Sequence, residues 1–138
     1  MPSETGTKNL ITLDSSVIIS YLIDEEIHRS RTNQIWNKLF SENTSVIIPN
    51  TVLVEVVSAI KRRTGSIKIS ENIKQLLLNT SQIKLIELGN DLSSKAADVS
   101  IKYGLRGMDS IIVATAIEFN SELITFDNEI IQKYLKRI

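Results

Sequence analysis

Short unbroken apolar runs alternate along the chain with longer stretches in which apolar residues recur every three or four positions. Residues 10–13 (Leu-Ile-Thr-Leu), 45–48 (Ser-Val-Ile-Ile) and 123–126 (Leu-Ile-Thr-Phe) are short and rich in β-branched side chains, which predicts buried strands. Residues 83–88 set Ile83, Leu85 and Ile86 among polar neighbours and read as a further strand. The helical period predicts helices over residues 16–22 and over residues 27–40, the latter with Ile35, Leu39 and Phe40 apolar. Pro49 stops the preceding strand, and Asn50 reads as the N-cap of a helix running to about Arg63 and ended by Gly65. Ser70 reads as the cap of the next helix, which turns Ile73, Leu76 and Leu77 inward, and Asp91 as the cap of a helix over residues 92–103 stopped by Gly104. Residues 108–120 form an Ala- and Ile-rich helix, and a short last helix starts near Glu129. Strands and helices alternate throughout, so the expected fold is a three-layer α/β/α sandwich around a mostly parallel sheet. Residues 1–8 read as a polar, flexible leader and residues 9–138 as one domain, a length that one hydrophobic core can serve.

Two of the strand sequences echo each other. Leu10-Ile11-Thr12-Leu13-Asp14 and Leu123-Ile124-Thr125-Phe126-Asp127 both close a buried run with an aspartate. In a parallel sheet both carboxylates emerge at the carboxyl edge, where open α/β folds bind ligands; aspartate is also an ordinary turn residue after a strand. Two more acids stand in apolar company. Glu55 is the sole charge in the run from Thr51 to Ile60, with Val52 and Ala59 on its helical face, so it needs a cation, a basic partner or an escape to solvent. Asp109 opens the apolar helix at residues 108–120, either as an acid in a favourable first turn or as a side chain aimed into the sheet edge. Gathered in one hollow, Asp14, Glu55, Asp109 and Asp127 would raise one another's pKa unless a divalent ion sat among them. Oxygen-only ligands suit Mg²⁺ or Mn²⁺ rather than zinc, and carboxylate-held Mg²⁺ is a usual device of phosphoryl chemistry.

Charge and composition narrow the chemistry further. Lysine and arginine balance aspartate and glutamate, so no global field draws in nucleic acid and any such contact must come from local patches or a bound cation. With no cysteine and a single histidine, His28, a disulfide framework, a thiolate site and a histidine-rich zinc site are all out of reach. No apolar run is long enough to cross a bilayer, and residues 1–8 lack the apolar core of a secretory signal, which makes a cytoplasmic location the expectation.

With these residues in view, the chain resembles the PIN-domain nucleases and, among them, the single-domain VapC-type toxins. The resemblance covers nearly everything after residue 8. Leu13-Asp14-Ser15-Ser16-Val17 resembles the opening strand with its first acid. Glu55 stands where the family has a glutamate in an apolar helix. The run from Tyr103 to Ala116 resembles the family's most recognisable stretch, and Leu123-Ile124-Thr125-Phe126-Asp127 its last strand and fourth acid. The resemblance implies an Mg²⁺- or Mn²⁺-dependent endoribonuclease, the toxin of a toxin–antitoxin pair, with a cognate protein antitoxin and a homodimeric assembly. It also implies roles: Asp14 and Asp109 as principal metal ligands, Glu55 binding the metal or polarising its water, Asp127 serving a second metal or acting through water. Ser16 and Thr125 match hydroxyls that support the pocket. The chain departs from the pattern after Asp127, where Asn128-Glu129-Ile130-Ile131 replaces an Asp followed by Phe. The alternative is a catalytically inactive PIN-like module that binds RNA or protein.

Other features are weighed against plainer roles. Arg106 is a candidate phosphate contact or a structural ion pair. Lys61, Arg62 and Arg63 either flank bound RNA or serve as a cationic helix end. Trp36 and Phe40 read as packing, His28 as a loop or helix-start residue, Asp98 and Glu118 as solvated charge, and Asp24, Glu25 and Glu26 as a turn outside the site. A phosphoacceptor receiver domain and a haloacid-type phosphatase are disfavoured, because Asp14 is followed by Ser15-Ser16 rather than by a second acid.

Overall fold

The computed structural model describes residues 9–23, 29–41 and 43–138. The expectations placed on residues 1–8, on Asp24, Glu25, Glu26, Ile27 and His28, and on the Phe40 side chain lie outside these. The elements follow as β1 (Asn9–Leu13), α1 (Ser15–Ile23), α2 (Arg29–Ser41), β2 (Thr44–Pro49), α3 (Asn50–Thr64), α4 (Ile67–Asn79), β3 (Ile83–Ile86), α5 (Asn90–Tyr103), α6 (Gly107–Glu118), β4 (Glu122–Ile124) and α7 (Asn128–Lys133), then a 3₁₀ turn over Leu135–Arg137.

The four strands form one parallel sheet in the order β3-β2-β1-β4. The chain steps outward from β1 through β2 to β3, then crosses back to place β4 on the far side of β1. Right-handed crossovers therefore put α1–α4 on one face and α5–α6 on the other, giving three layers. The packing agrees: α1 meets α2 and α3, α3 meets α4, while α6 lies across β1, β2 and β4 and carries α5. Strand β2 is buried along its whole length, as expected of an inner parallel strand covered on both faces. Ile11, Leu13, Val46, Ile48, Val56, Ile112 and Val113 form the centre of the core. The apolar character of α6 has a direct cause: residues 112–116 are all buried between the sheet and α5.

Several helix starts differ from the sequence reading. Pro49, extended at φ −69°, holds the cap position of α3, and Asn50 is already helical with no capping bond from a side chain. Helix α4 begins a turn early, because the chain has already reversed at left-handed Gly65. The Ser66 hydroxyl accepts from the Ile69 amide (3.0 Å), and Ser70 donates to the Ser66 carbonyl (2.7 Å) inside the helix. Gly89 precedes α5, leaving Asp91 in the first turn, where its charge favours the helix dipole. Glu118 is not free in solvent. Lys95 bonds it and also pairs with Asp91 at 3.2 Å, tying α5 to α6. Trp36 packs against Tyr21 with ring centroids 4.5 Å apart, joining α1 to α2.

Gly65 and Gly104 both end their helices with positive φ, +67° and +70°, and nothing lies within 4 Å of where a Cβ would sit. The cost of an alanine is therefore backbone strain alone. Gly65→Ala and Gly104→Ala should each lose about 1 kcal/mol, read as a lower urea midpoint with an unchanged slope.

Candidate active site at the carboxyl edge of the sheet

Strands β1 and β4 lie side by side with Leu13 opposite Ile124, so they end at the same height. The Asp14 amide still joins the ladder, donating to the Ile124 carbonyl at 3.0 Å. Beyond it, side chains take over from the sheet. Asp14 is buried, and one of its carboxylate oxygens, Oδ2, accepts hydrogen bonds from the Ser16 hydroxyl (2.7 Å) and the Thr125 hydroxyl (2.8 Å). Each hydroxyl in turn accepts from a backbone amide, Ser16 Oγ from Phe126 (3.0 Å) and Thr125 Oγ1 from Asp127 (2.9 Å). This network explains why β4 is shorter than expected: the Phe126 amide bonds a side chain instead of a neighbouring strand. It also fixes the Asp14 carboxylate, leaving Oδ1 outside these bonds.

Asp127 caps α7, its Oδ1 accepting from the Ile130 amide at 3.1 Å. With Glu55 from α3 and Asp109 from the first turn of α6, it lines an open cleft of about 810 Å³. The far wall is α5, whose small Ser93, Ala96, Ala97 and Ser100 keep the cleft wide. Packing of α1 on α3 brings Ser15 to hydrogen-bond Glu55. The sequence reading misses that contact; the one available signal is the position of Ser15 directly after Asp14, at the start of a helix.

The electrostatics show the acids facing one another. Glu55 has a raised pKa, first because burial penalises its charged form, then through Asp14; the Ser15 bond opposes the rise, and Asp109 and Asp127 add to it. Asp109 is pushed up to about 6, by burial, then by Asp127 and Asp14, with Arg106 opposing and Glu129 adding. Among the described residues, however, no three acids or histidines are arranged to grip a single ion. Glu55, Asp109 and Asp127 line the cleft, while Asp14 is buried beside it and acts on Glu55 and Asp109 through its charge. Their all-oxygen donor set nevertheless fits a hard divalent cation.

Arg106 is exposed at the rim of the cleft, just ahead of α6, and forms no ion pair among the described residues. Lys61, Arg62 and Arg63 sit in the last turn of α3 and do not line the cleft; Arg62 bonds Ser58 of its own helix at 2.6 Å. Their place favours the cationic helix end over RNA contact.

The support beneath Asp14 can be tested by itself. Thr125→Val removes one donor to a buried carboxylate and leaves the Asp127 amide without its acceptor. The expected loss is about 1–3 kcal/mol of stability, measured by urea denaturation, whereas Thr125→Ser should restore most of it.

Several solved structures share this architecture. VapC20 of Mycobacterium tuberculosis, described as a sarcin-ricin loop cleaving toxin, is 16% identical with a TM-score of 0.72, over 86% of this chain and 90% of that one. VapBC2 of Rickettsia felis, bound to a DNA fragment from its promoter, is 19% identical with a TM-score of 0.64, over 94% and 92%. A toxin–antitoxin complex from Klebsiella pneumoniae is 19% identical with a TM-score of 0.63, over 87% and 89%. At such identities the likeness shows the fold. No curated protein sequence matches the chain. The PIN domain family model, by contrast, matches residues 11–136, almost the whole length, and the chain therefore belongs to the PIN domain family.

Proposed function

We propose that this protein is an endoribonuclease that hydrolyses RNA phosphodiester bonds with the help of Mg²⁺ or Mn²⁺, and that it is the toxin of a toxin–antitoxin pair. One observation carries most of the chemistry. A buried Asp14, pinned by two hydroxyls, stands at the same sheet edge as Asp109 and Glu55, whose raised pKa values reflect burial and mutual repulsion. RNA as substrate and an antitoxin as partner are supported by membership of the family and by the toxins that share the fold.

Asp14 and Asp109 are the residues that would hold a divalent ion, with Asp127 serving a second ion or acting through water. Bound there, such an ion supplies charge neutralisation on the phosphate and a more acidic attacking water. Glu55, whose pKa is raised by burial and by Asp14, would bind the ion or accept a proton from the water that the ion polarises. Arg106 at the rim draws the phosphate into a cleft that is otherwise negative. Ser16 and Thr125 do not touch substrate; they hold Asp14 in place.

The test is purified protein with labelled RNA, with and without Mn²⁺ or Mg²⁺. Cleavage that requires the ion and stops on chelation is expected. Binding of RNA without cleavage under any metal would instead leave an inactive PIN-like module.

A further inference from the structure

Next to the acids, on the outer side of β4, lies a second recess of about 400 Å³. Its walls are the half-buried side chains of Leu123, Phe126, Ile131 and Leu135, with Thr125 at its base. Arg31 of α2 closes it, the guanidinium carbon 5.9 Å from the centre of the Phe126 ring. That is within reach of a cation–π contact. Arg31 is exposed and forms no ion pair among the described residues. Gln34 and Lys38 follow it at i+3 and i+7, and all three line the adjoining hollow, where Lys38 pairs with Glu122 at 3.5 Å.

This recess is in register with the acid site. The Phe126 amide is held by the same Ser16 hydroxyl that donates to Asp14, and Thr125 bonds both Asp14 and the Asp127 amide. Whatever rests on the Phe126 ring is therefore placed at a fixed offset from the carboxylates.

We propose that the recess is a nucleobase subsite: the base of an unpaired nucleotide next to the cleaved phosphate stacks on Phe126, and Arg31 closes over it. The inference rests on the ribonuclease reading above. Its chemistry follows from the walls. A flat apolar ring with a planar cation above suits a base, which has a π-face whatever its sequence. An aliphatic side chain would gain nothing from the guanidinium. Stacked layers sit about 3.5 Å apart, so a base between ring and guanidinium needs about 7 Å. Arg31 must lift by about 1 Å from its present position, which a long exposed side chain does without disturbing α2.

The test uses short single-stranded RNA carrying 2-aminopurine at each position in turn, bound in Ca²⁺ to the wild type, Arg31→Ala, Arg31→Lys and a charge control, Lys68→Ala, on the remote α4. Strong quenching is expected at one position beside the cut, with the control matching the wild type. Arg31→Ala should lose that quenching and bind about tenfold more weakly. Arg31→Lys, keeping the charge but not the plane, should recover only part of the affinity. Unchanged quenching and affinity in Arg31→Ala would overturn the subsite while RNA cleavage in Mn²⁺ left the ribonuclease reading intact. A wild type that neither binds nor cuts RNA would overturn both.

Discussion

Asp14→Asn and Asp109→Asn should each slow RNA cleavage by about a hundredfold to a thousandfold or more while leaving the protein folded. In Asp14→Asn the side-chain amide oxygen can accept the same hydroxyl bonds from Ser16 and Thr125 that the carboxylate Oδ2 accepts now, so the buried network survives without its charge. At residue 109 the substitution relieves repulsion from Asp127 and Asp14, so the variant should be at least as stable as the wild type. Retained stability with lost activity separates a catalytic acid from a structural one. Initial rates on labelled RNA, beside circular dichroism of each variant, measure both. Cleavage at the wild-type rate by both variants would place the nuclease activity elsewhere, in another site or a contaminant.

Metal binding should raise the melting temperature, and by more as pH rises. Asp109 has a pKa of about 6 in the folded chain against an ordinary 3.8. Between these values the folded state holds more protons at this group than the unfolded one, so without metal the contribution of Asp109 to stability is full below this window and is lost as pH climbs through it. A divalent ion answers the same repulsion that the proton answers at low pH. Mn²⁺ or Mg²⁺ should therefore stabilise the protein more at about pH 7.5 than at about pH 5, where it competes with protons. At a concentration a hundredfold above Kd the gain is about 2.7 kcal/mol, several degrees in Tm. Asp109→Asn should flatten the pH dependence and reduce the metal shift. Identical melting curves with and without metal at the higher pH would be incompatible with a carboxylate-held ion.

The order of strands and helices could be read from local pattern, because period-2 and period-3.6 burial leave their mark on short windows of sequence. Left-handed Gly65 and Gly104 likewise needed no structure to be placed, since few other residues tolerate that backbone. The four acids stood out because Asp14 and Asp127 close echoing apolar strands, while Glu55 and Asp109 sit in apolar helices. Local pattern pointed to Ser70 as a cap, whereas the turn at Gly65 gives that place to Ser66. Nor could local pattern show that Ser16 and Thr125, 109 residues apart, converge on one oxygen of Asp14, or that Ser15 reaches Glu55. Those contacts exist only because β1 pairs with β4 and α1 packs on α3. Sequence thus determined which residues carry charge into the core and in what elements. Tertiary packing alone decided their distances, so it also decided that Glu55, Asp109 and Asp127 line one cleft with Asp14 buried beside it, and that Arg31 lies over Phe126.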